Sequence, residues 1–185
     1  MNYILKPAMT LFITAVLTIA ALSVVFINTY EPIQIQRQIR LEAAMRAVLP
    51  HAEEFREMQA QVSGRMVAVF EGTIDDIVVG YVVSLSSPGY SGNIDLMVGI
   101  YSADQSISGM RIVRHTETPG LGALIVRPDF YRRFDSRPLI PLGVVRTSPG
   151  EHDIQTITDS TITTRAVTDA VNEAIAWYLA EGGER

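Results

Sequence analysis

The chain has 185 residues, 48% of them hydrophobic and 19% charged, with a formal net charge of −5 and no cysteine. That balance offers no basic excess for nucleic acid, and Lys6 is the only lysine. Lacking thiolates, the chain can ligate no iron–sulfur cluster and close no disulfide, so any redox chemistry must come from a bound cofactor.

Ala8–Ile27 contains no charged residue. At a helical rise of about 1.5 Å, about 20 residues cross a hydrocarbon core of about 30 Å, so this stretch is expected to be a single membrane-spanning helix. Tyr3 and Tyr30 flank it as interfacial aromatics. A cleaved signal peptide is the competing reading, with Thr18-Ile19-Ala20 as its small-x-small site, although the apolar run is long for one. Lys6 and the amino terminus on one side offset Arg37 and Arg40 on the other, so the distribution of positive charge does not set the orientation. Glu31-Pro32 marks the exit, and Pro32 suits the first turn of a new helix. Gln34–Leu49 is predicted as that helix, with Ile35, Ile39, Leu41, Met45, Val48 and Leu49 partly on one face and Pro50 at its end. Its arginines suit lipid headgroups or, more simply, a solvated face.

From Arg65 the period changes to two. Met66–Glu71 and Ile77–Leu85 are β-branched and aromatic runs with a turn at Gly72 and Asp75-Asp76 between them. Ser86-Ser87-Pro88-Gly89 ends the second run, and Gly92–Tyr101 and Ser106–Arg114 continue as strands around Ala103-Asp104-Gln105. The pattern predicts an antiparallel meander closed by helices, hence an α+β fold. Phe130, Tyr131 and Phe134, near Pro128 and Pro138, are expected to pack around a surface helical turn. No internal repeat or low-complexity segment is present. His51 and His152 lack ligand-like partners nearby in sequence, so no metal site is predicted.

Near the C-terminus the hydroxyls Thr156, Thr158, Ser160, Thr161, Thr163 and Thr164 lead directly into an amphipathic helix. Its apolar stripe is Val167, Ala170, Val171, Ala174, Ile175, Tyr178 and Leu179. Thr163 or Thr164 is the expected N-cap, and Gly182-Gly183 the stop. A threonine just ahead of such a helix sits beside unpaired amides and the positive end of the helix dipole, where a phosphate is stabilised. On these residues alone, the plainer alternative is a hydroxyl-rich loop and its cap.

Thr158–Val167, T-D-S-T-I-T-T-R-A-V, resembles the S-G-A-T-I-T-S-x-A-V segment of the FMN-binding subunits of bacterial respiratory complexes. These are the G subunit of the Rnf ferredoxin:NAD oxidoreductase and the C subunit of the sodium-pumping NADH:quinone reductase. Gly89-Tyr90-Ser91-Gly92 followed by N-I-D-L-M-V-G-I is similar to that family's G-Y-x-G-x-I-x-x-M-V-G-I. His115–Gly122, H-T-E-T-P-G-L-G, is close to its H-x-E-T-P-G-L-G, and Thr29, Ile33 and Val48-Leu49-Pro50 resemble its juxtamembrane segment. Three positions depart from the family pattern. Asp159 stands at its Gly, Ser160 at its Ala, and Gln155 where an Asp is read by the flavin-attaching transferase.

The resemblance implies a single N-terminal transmembrane helix followed by one FMN-binding domain of antiparallel sheet plus helices. The expected division is a membrane anchor over 1–30, a juxtamembrane helical connector over 31–64 and the FMN-binding domain over 65–185. It implies FMN held by a phosphoester bond to Thr161, with Thr158, Ser160, Ile162 and Thr163 around the attachment point. Gly120, Leu121 and Gly122 would line the ring, with Tyr90, Gly89 and Gly92 supporting it; Thr118 and Glu117 would also bind the cofactor, Glu117 accepting from a ring or backbone donor, and His115 is either a flavin neighbour or a surface residue. Asp159, two residues from the phosphoester, would repel it, whereas the family's Gly would not. Asp153 and Asp169 are read as solvated.

The implied role is a one-electron relay, catalysing nothing alone, in a membrane-bound ion-translocating complex. Its partners would be the other membrane subunits, a flavin transferase and the lipid bilayer, with no nucleic acid. The implied location is the cytoplasmic membrane, crossed once, with the N-terminus in the cytoplasm and the domain on the periplasmic or extracellular side. The short chain favours the Rnf protein over its quinone-reductase counterpart. Two alternatives stay open: a structural or docking subunit that has lost flavinylation, and a domain that binds FMN without a covalent bond.

Overall fold

The computed structural model describes residues 2–61 and 64–182; Gly183 and the side chains of Tyr3 and Arg37 lie outside the described residues. The chain forms two compact units, Met1–Arg40 and Leu41–Arg185.

The first unit belongs to helix α1 (Asn2–Val48). Its segment Lys6–Tyr30 is long and apolar enough to cross a membrane, with a mean hydropathy of 2.5 and none of it buried. Five polar side chains inside this segment bond carbonyls of the preceding turn. Thr10, Thr14, Thr18, Asn28 and Thr29 donate to the carbonyls of Lys6, Leu11, Thr14, Val24 and Val25 at 2.7–3.0 Å. Such pairing is what hydrocarbon demands, because no water is there to accept a hydrogen bond. Pro32 does not start a new helix as expected but lies inside α1. Proline removes one backbone donor, and here that local loss does not end the helix.

In the second unit, the last turns of α1 pack on one face of a five-stranded antiparallel sheet. Its strands are β1 (Glu54–Met58), β2 (Met66–Ile74), β3 (Ile77–Pro88), β4 (Asn93–Tyr101) and β5 (Ser106–Arg114), in that spatial order. Asp75 and Asp76, at φ 49° and 62°, make the left-handed two-residue turn of the β2–β3 hairpin. The turn expected at Gly72 is instead a register shift within β2. Strand β1, E-F-R-E-M, was not legible: it is an edge strand, three of its five residues are charged, and it shows no alternation.

The sheet is buried on both faces, which is why β3 and β4 read as near-continuous apolar runs. Val69, Tyr81, Val83, Leu85, Leu96, Val98 and Ile100 join the main core. Val82 and Met97 point the other way, into a cluster with Met45 and Val48 of α1 and Leu49 just beyond it. The end of that helix approaches β4 so closely that a Cβ at Gly99 would lie 2.3 Å from the Val48 carbonyl oxygen. Ser108 Oγ on β5 donates to the same oxygen, satisfying a helix-terminal acceptor.

The other face is covered by α3 (Thr161–Trp177) and by the segment after β5. That segment contains a 3₁₀ turn (Gly122–Val126), α2 (Pro128–Tyr131) and a second 3₁₀ turn (Arg132–Phe134). Phe130 and Phe134 are core residues packed edge to face at 5.7 Å, while Tyr131 carries the Arg111 guanidinium 3.9 Å above its ring. The stripe of α3 is buried as expected from Val167 to Tyr178. Leu179 is not: it is 57% exposed, because the chain beyond Trp177 widens into a π turn (Tyr178–Gly182) that breaks the 3.6-residue spacing. A short parallel pair, β6 (Gly143–Val145) with β7 (Asp153–Gln155), is tied to α3 through Asn172, whose side chain bonds both the amide and the carbonyl of Leu142 at 2.8 and 3.0 Å.

Candidate functional site

The N-terminus of α3 opens into a cleft of about 680 Å³, within the range of about 300–1,000 Å³ usual for small-molecule sites. Three segments meet there: the turn after β3, the loop after β5, and the chain from β7 into α3. Of the residues expected at the site, Tyr90, Glu117, Thr118, Leu121, Gly122, Thr158, Ser160, Thr161, Ile162 and Thr163 all line the cleft. Gly120 does not. It sits at φ 78° with open space where a Cβ would be, and shapes the turn in which the Leu121 and Ala123 amides bond the Thr118 carbonyl. His115 lies off the cleft, its Nδ1 accepting from the Glu117 amide at 3.2 Å.

Glu117 ties the three segments together. It is only 4% exposed. One carboxylate oxygen accepts from the Ser91 amide at 2.9 Å, and the other from Thr163 Oγ1 on α3 at 2.6 Å. Bonds to a carboxylate are shorter and stronger than neutral ones, so this side chain fixes both loops against the helix start. Gly122 and Gly89 make the arrangement possible: a Cβ at either would fall 2.4 or 2.5 Å from a Glu117 carboxylate oxygen.

Helix α3 begins at Thr161 with Ser160 in the N-cap position, not at the Thr163 or Thr164 cap expected. Those two hydroxyls are engaged elsewhere. Thr163 donates to Glu117, while Thr164 Oγ1 donates to the Ser160 carbonyl at 3.0 Å and accepts from the Ile157 amide at 3.2 Å. The first intrahelical bond runs from Thr164 N to Ser160 O, so the amides of Thr161, Ile162 and Thr163 precede it, at the positive end of the dipole. The Ser160 hydroxyl makes no capping bond; its Oγ is buried without a partner. Asp159 holds φ 59°, a left-handed conformation that Asp tolerates and Gly adopts freely.

Around this polar floor the rim is apolar and open, with Tyr90 71%, Ile162 57% and Leu121 43% exposed. The arrangement can hold an anionic group against the helix start and a flat apolar body against the rim. Sequence reading missed Arg146, and it gave Gln155 and Thr156 no place at the site, although all three line the cleft. The parallel β6–β7 pairing brings them together, with the Thr156 amide on the Val145 carbonyl at 2.8 Å. Three-residue strands carry too little pattern to announce that pairing.

A protein-family model described as an FMN-binding domain matches residues 89–176, the span that holds all of the cleft residues expected from the sequence. Curated relatives match over nearly the whole chain. The G subunit of the ion-translocating oxidoreductase complex of Methanosarcina acetivorans is 30% identical, covering 96% of this chain and 98% of its own length. The G subunit of the proton-translocating ferredoxin:NAD(+) oxidoreductase complex of Clostridium ljungdahlii is 31% identical, covering 94% and 91%. Its counterpart in the Na(+)-translocating ferredoxin:NAD(+) oxidoreductase complex of Acetobacterium woodii is also 31% identical, covering 95% and 91%. Among solved structures, the C subunit of the Na(+)-translocating NADH-quinone reductase of Parabacteroides distasonis shares the fold at a TM-score of 0.54 and 21% identity, covering 69% of this chain and 76% of its own. An apolar N-terminal helix, an antiparallel sheet with helices and an FMN-binding domain thus occur in one chain whose relatives match it almost end to end: it belongs to the G-subunit family of ion-translocating oxidoreductase complexes.

Proposed function

We infer that this chain is the FMN-carrying electron-transfer subunit of a membrane-bound, ion-translocating ferredoxin:NAD oxidoreductase complex of the Rnf type, and that Thr161 carries the flavin through a phosphoester. One observation carries the reading. Thr161, itself partly exposed, lines the cleft as the first residue of α3, at a helix start whose first three amides precede the first intrahelical bond and whose buried N-cap hydroxyl has no partner. That donor set suits a phosphate. The exposed Tyr90, Leu121 and Ile162 suit a flat aromatic ring.

When bound, FMN supplies the one-electron relay between other subunits. The chain's own residues bind and orient it. Glu117 holds the two loops on the helix start, Thr118 and Leu121 border the ring, and Thr158, Ser160 and Thr163 complete the polar floor. In attachment, the Thr161 hydroxyl gives up its proton and its oxygen forms the new bond to phosphorus. A flavin transferase acting on a flavin dinucleotide would drive this step: a P–O bond of the donor's diphosphate would break, the nucleoside monophosphate would leave with the proton, and the chain would gain one FMN less one water. The Lys6–Tyr30 helix anchors the chain in the bilayer, with the N-terminus in the cytoplasm and the domain on the far side. Because the chain has no cysteine, a single cysteine at the exposed His152 would report that side through an impermeant maleimide on intact cells.

The test is the intact mass of the full chain produced beside its transferase. A gain of one FMN less one water, abolished by Thr161→Ala, is the expected result. Bare polypeptide that releases flavin on denaturation would mean reversible binding. Bare polypeptide with no flavin at any stage would mean a structural or docking role, the reading that the charged Asp159 beside the attachment point favours.

A further inference from the structure

The cleft has a charge pattern that the reading above leaves unused. Three charged side chains line it: Arg146, Asp159 and Glu117. Glu117 is buried with both oxygens engaged. Arg146 and Asp159 are exposed, and neither makes an ion pair among the described residues. Ser160, which follows Asp159, is 5% exposed and sits at the N-cap. A serine there ordinarily bonds an amide of the first turn, yet this hydroxyl bonds nothing. Buried hydroxyls without partners are rare in folded proteins, and this one, on a residue that lines the cleft at the helix start, comes to a ligand there by rotation about its Cα–Cβ bond.

We propose that Arg146 and Ser160 are specificity-determining residues that hold the phosphate group of FMN reversibly, so that the cleft selects the phosphorylated flavin before and without any bond to Thr161. The proposal rests on the reading of the cleft as an FMN site. The Ser160 hydroxyl and the amides of Thr161, Ile162 and Thr163 donate to the phosphate oxygens. Arg146 supplies the one positive side chain among the described lining residues, against the unfavourable carboxylate of Asp159. Without Arg146, a phosphomonoester carrying about 1.5–2 negative charges at neutral pH would meet only acidic side chains in this cleft. Attraction between exposed charges is screened by salt, so phosphate recognition should weaken as ionic strength rises.

The experiment uses the full chain in detergent carrying Thr161→Ala, which cannot form the ester, titrated with FMN and with riboflavin by fluorescence quenching. FMN should bind about tenfold or more tightly than riboflavin, and millimolar inorganic phosphate should displace FMN only. Adding Arg146→Gln or Ser160→Ala should each weaken FMN about tenfold and leave riboflavin unchanged, since each removes one bond to a charged group. Arg146 is exposed and the Ser160 hydroxyl is unpartnered, so neither change removes a contact the fold needs. Equal affinity for the two flavins, or FMN affinity insensitive to both substitutions, would overturn the proposal and leave the flavin site standing. Failure to bind either flavin would overturn the flavin reading of the cleft, and this proposal with it.

Discussion

Replacing Glu117 tests whether one buried carboxylate holds the site together. Glu117→Ala removes the acceptor of the Ser91 amide at 2.9 Å and of Thr163 Oγ1 at 2.6 Å. Bonds to a charged group contribute about 1.5–3 kcal/mol each, and the buried Thr163 hydroxyl left behind adds a desolvation cost. Relief from burying a charge offsets part of this, so the net loss should be about 3 kcal/mol. Glu117→Gln is the control. Its oxygen can accept from the Ser91 amide, while its NH₂ can donate to Thr163 Oγ1, because a hydroxyl reverses its role freely. Both contacts survive without the charge, and the cost should be about 1 kcal/mol. Trp177 makes the measurement clean: it is the only tryptophan, is buried, and packs edge-on to Tyr81 at 5.7 Å in the main core. Urea unfolding of the full chain in detergent, followed by its emission, therefore reports the soluble domain. A Gln variant as unstable as the Ala variant, or an Ala variant within about 0.5 kcal/mol of the parent, would refute the reasoning.

Asp159→Gly should leave stability within about 1 kcal/mol, the relief of φ 59° being offset by a more flexible unfolded chain, and should raise the flavinylated fraction in the intact mass spectrum by removing a charge near Thr161. Asp159→Val at the same position should destabilise, because a β-branched residue tolerates that conformation poorly. Asp135 has its carboxyl pushed above the ordinary 3.8, first by burial and against the opposing pull of Arg111 and Arg132, and one of its oxygens has no partner. A folded-state value above the unfolded one means that the penalty is absent below about pH 3.8 and develops as pH rises through the folded value. Asp135→Asn should therefore raise the melting temperature at neutral pH and lose that advantage in acid.

Much of this fold was legible because its signals are local. An uncharged run marked the Lys6–Tyr30 segment, and β-branched alternation marked β2 to β5. What stayed hidden depends on distant partners. Strand β1 exists because Phe55 pairs opposite Gly72, and its own residues announce nothing. Arg146 reaches the cleft only because three residues of β6 lie beside three of β7. Thr163 and Thr164 looked like caps because threonine is a cap residue, yet long-range competition sent the first to Glu117 and the second back into its own loop. The site residues themselves came from motif resemblance, since no periodicity distinguishes T-P-G-L-G from any other turn.

The altered attachment segment is best understood by separating its backbone from its side chains. A Gly in the family's pattern permits a left-handed residue two places before the attached threonine, and the residue found there in this chain, Asp159, takes φ 59°. Among non-glycine residues, Asp is one of the few that accept this conformation at modest strain. That left-handed turn leads Thr161 to the head of α3, where the first three amides precede the helix's first bond and the Glu117–Thr163 bond fixes the helix start. What changes is chemistry on that path: a carboxylate at the rim, a donor hydroxyl at Ser160, and an amide at Gln155 directed to the Arg146 carbonyl at 3.4 Å. On the proposed flavin reading, these side chains change how a phosphate would be held at the head of α3.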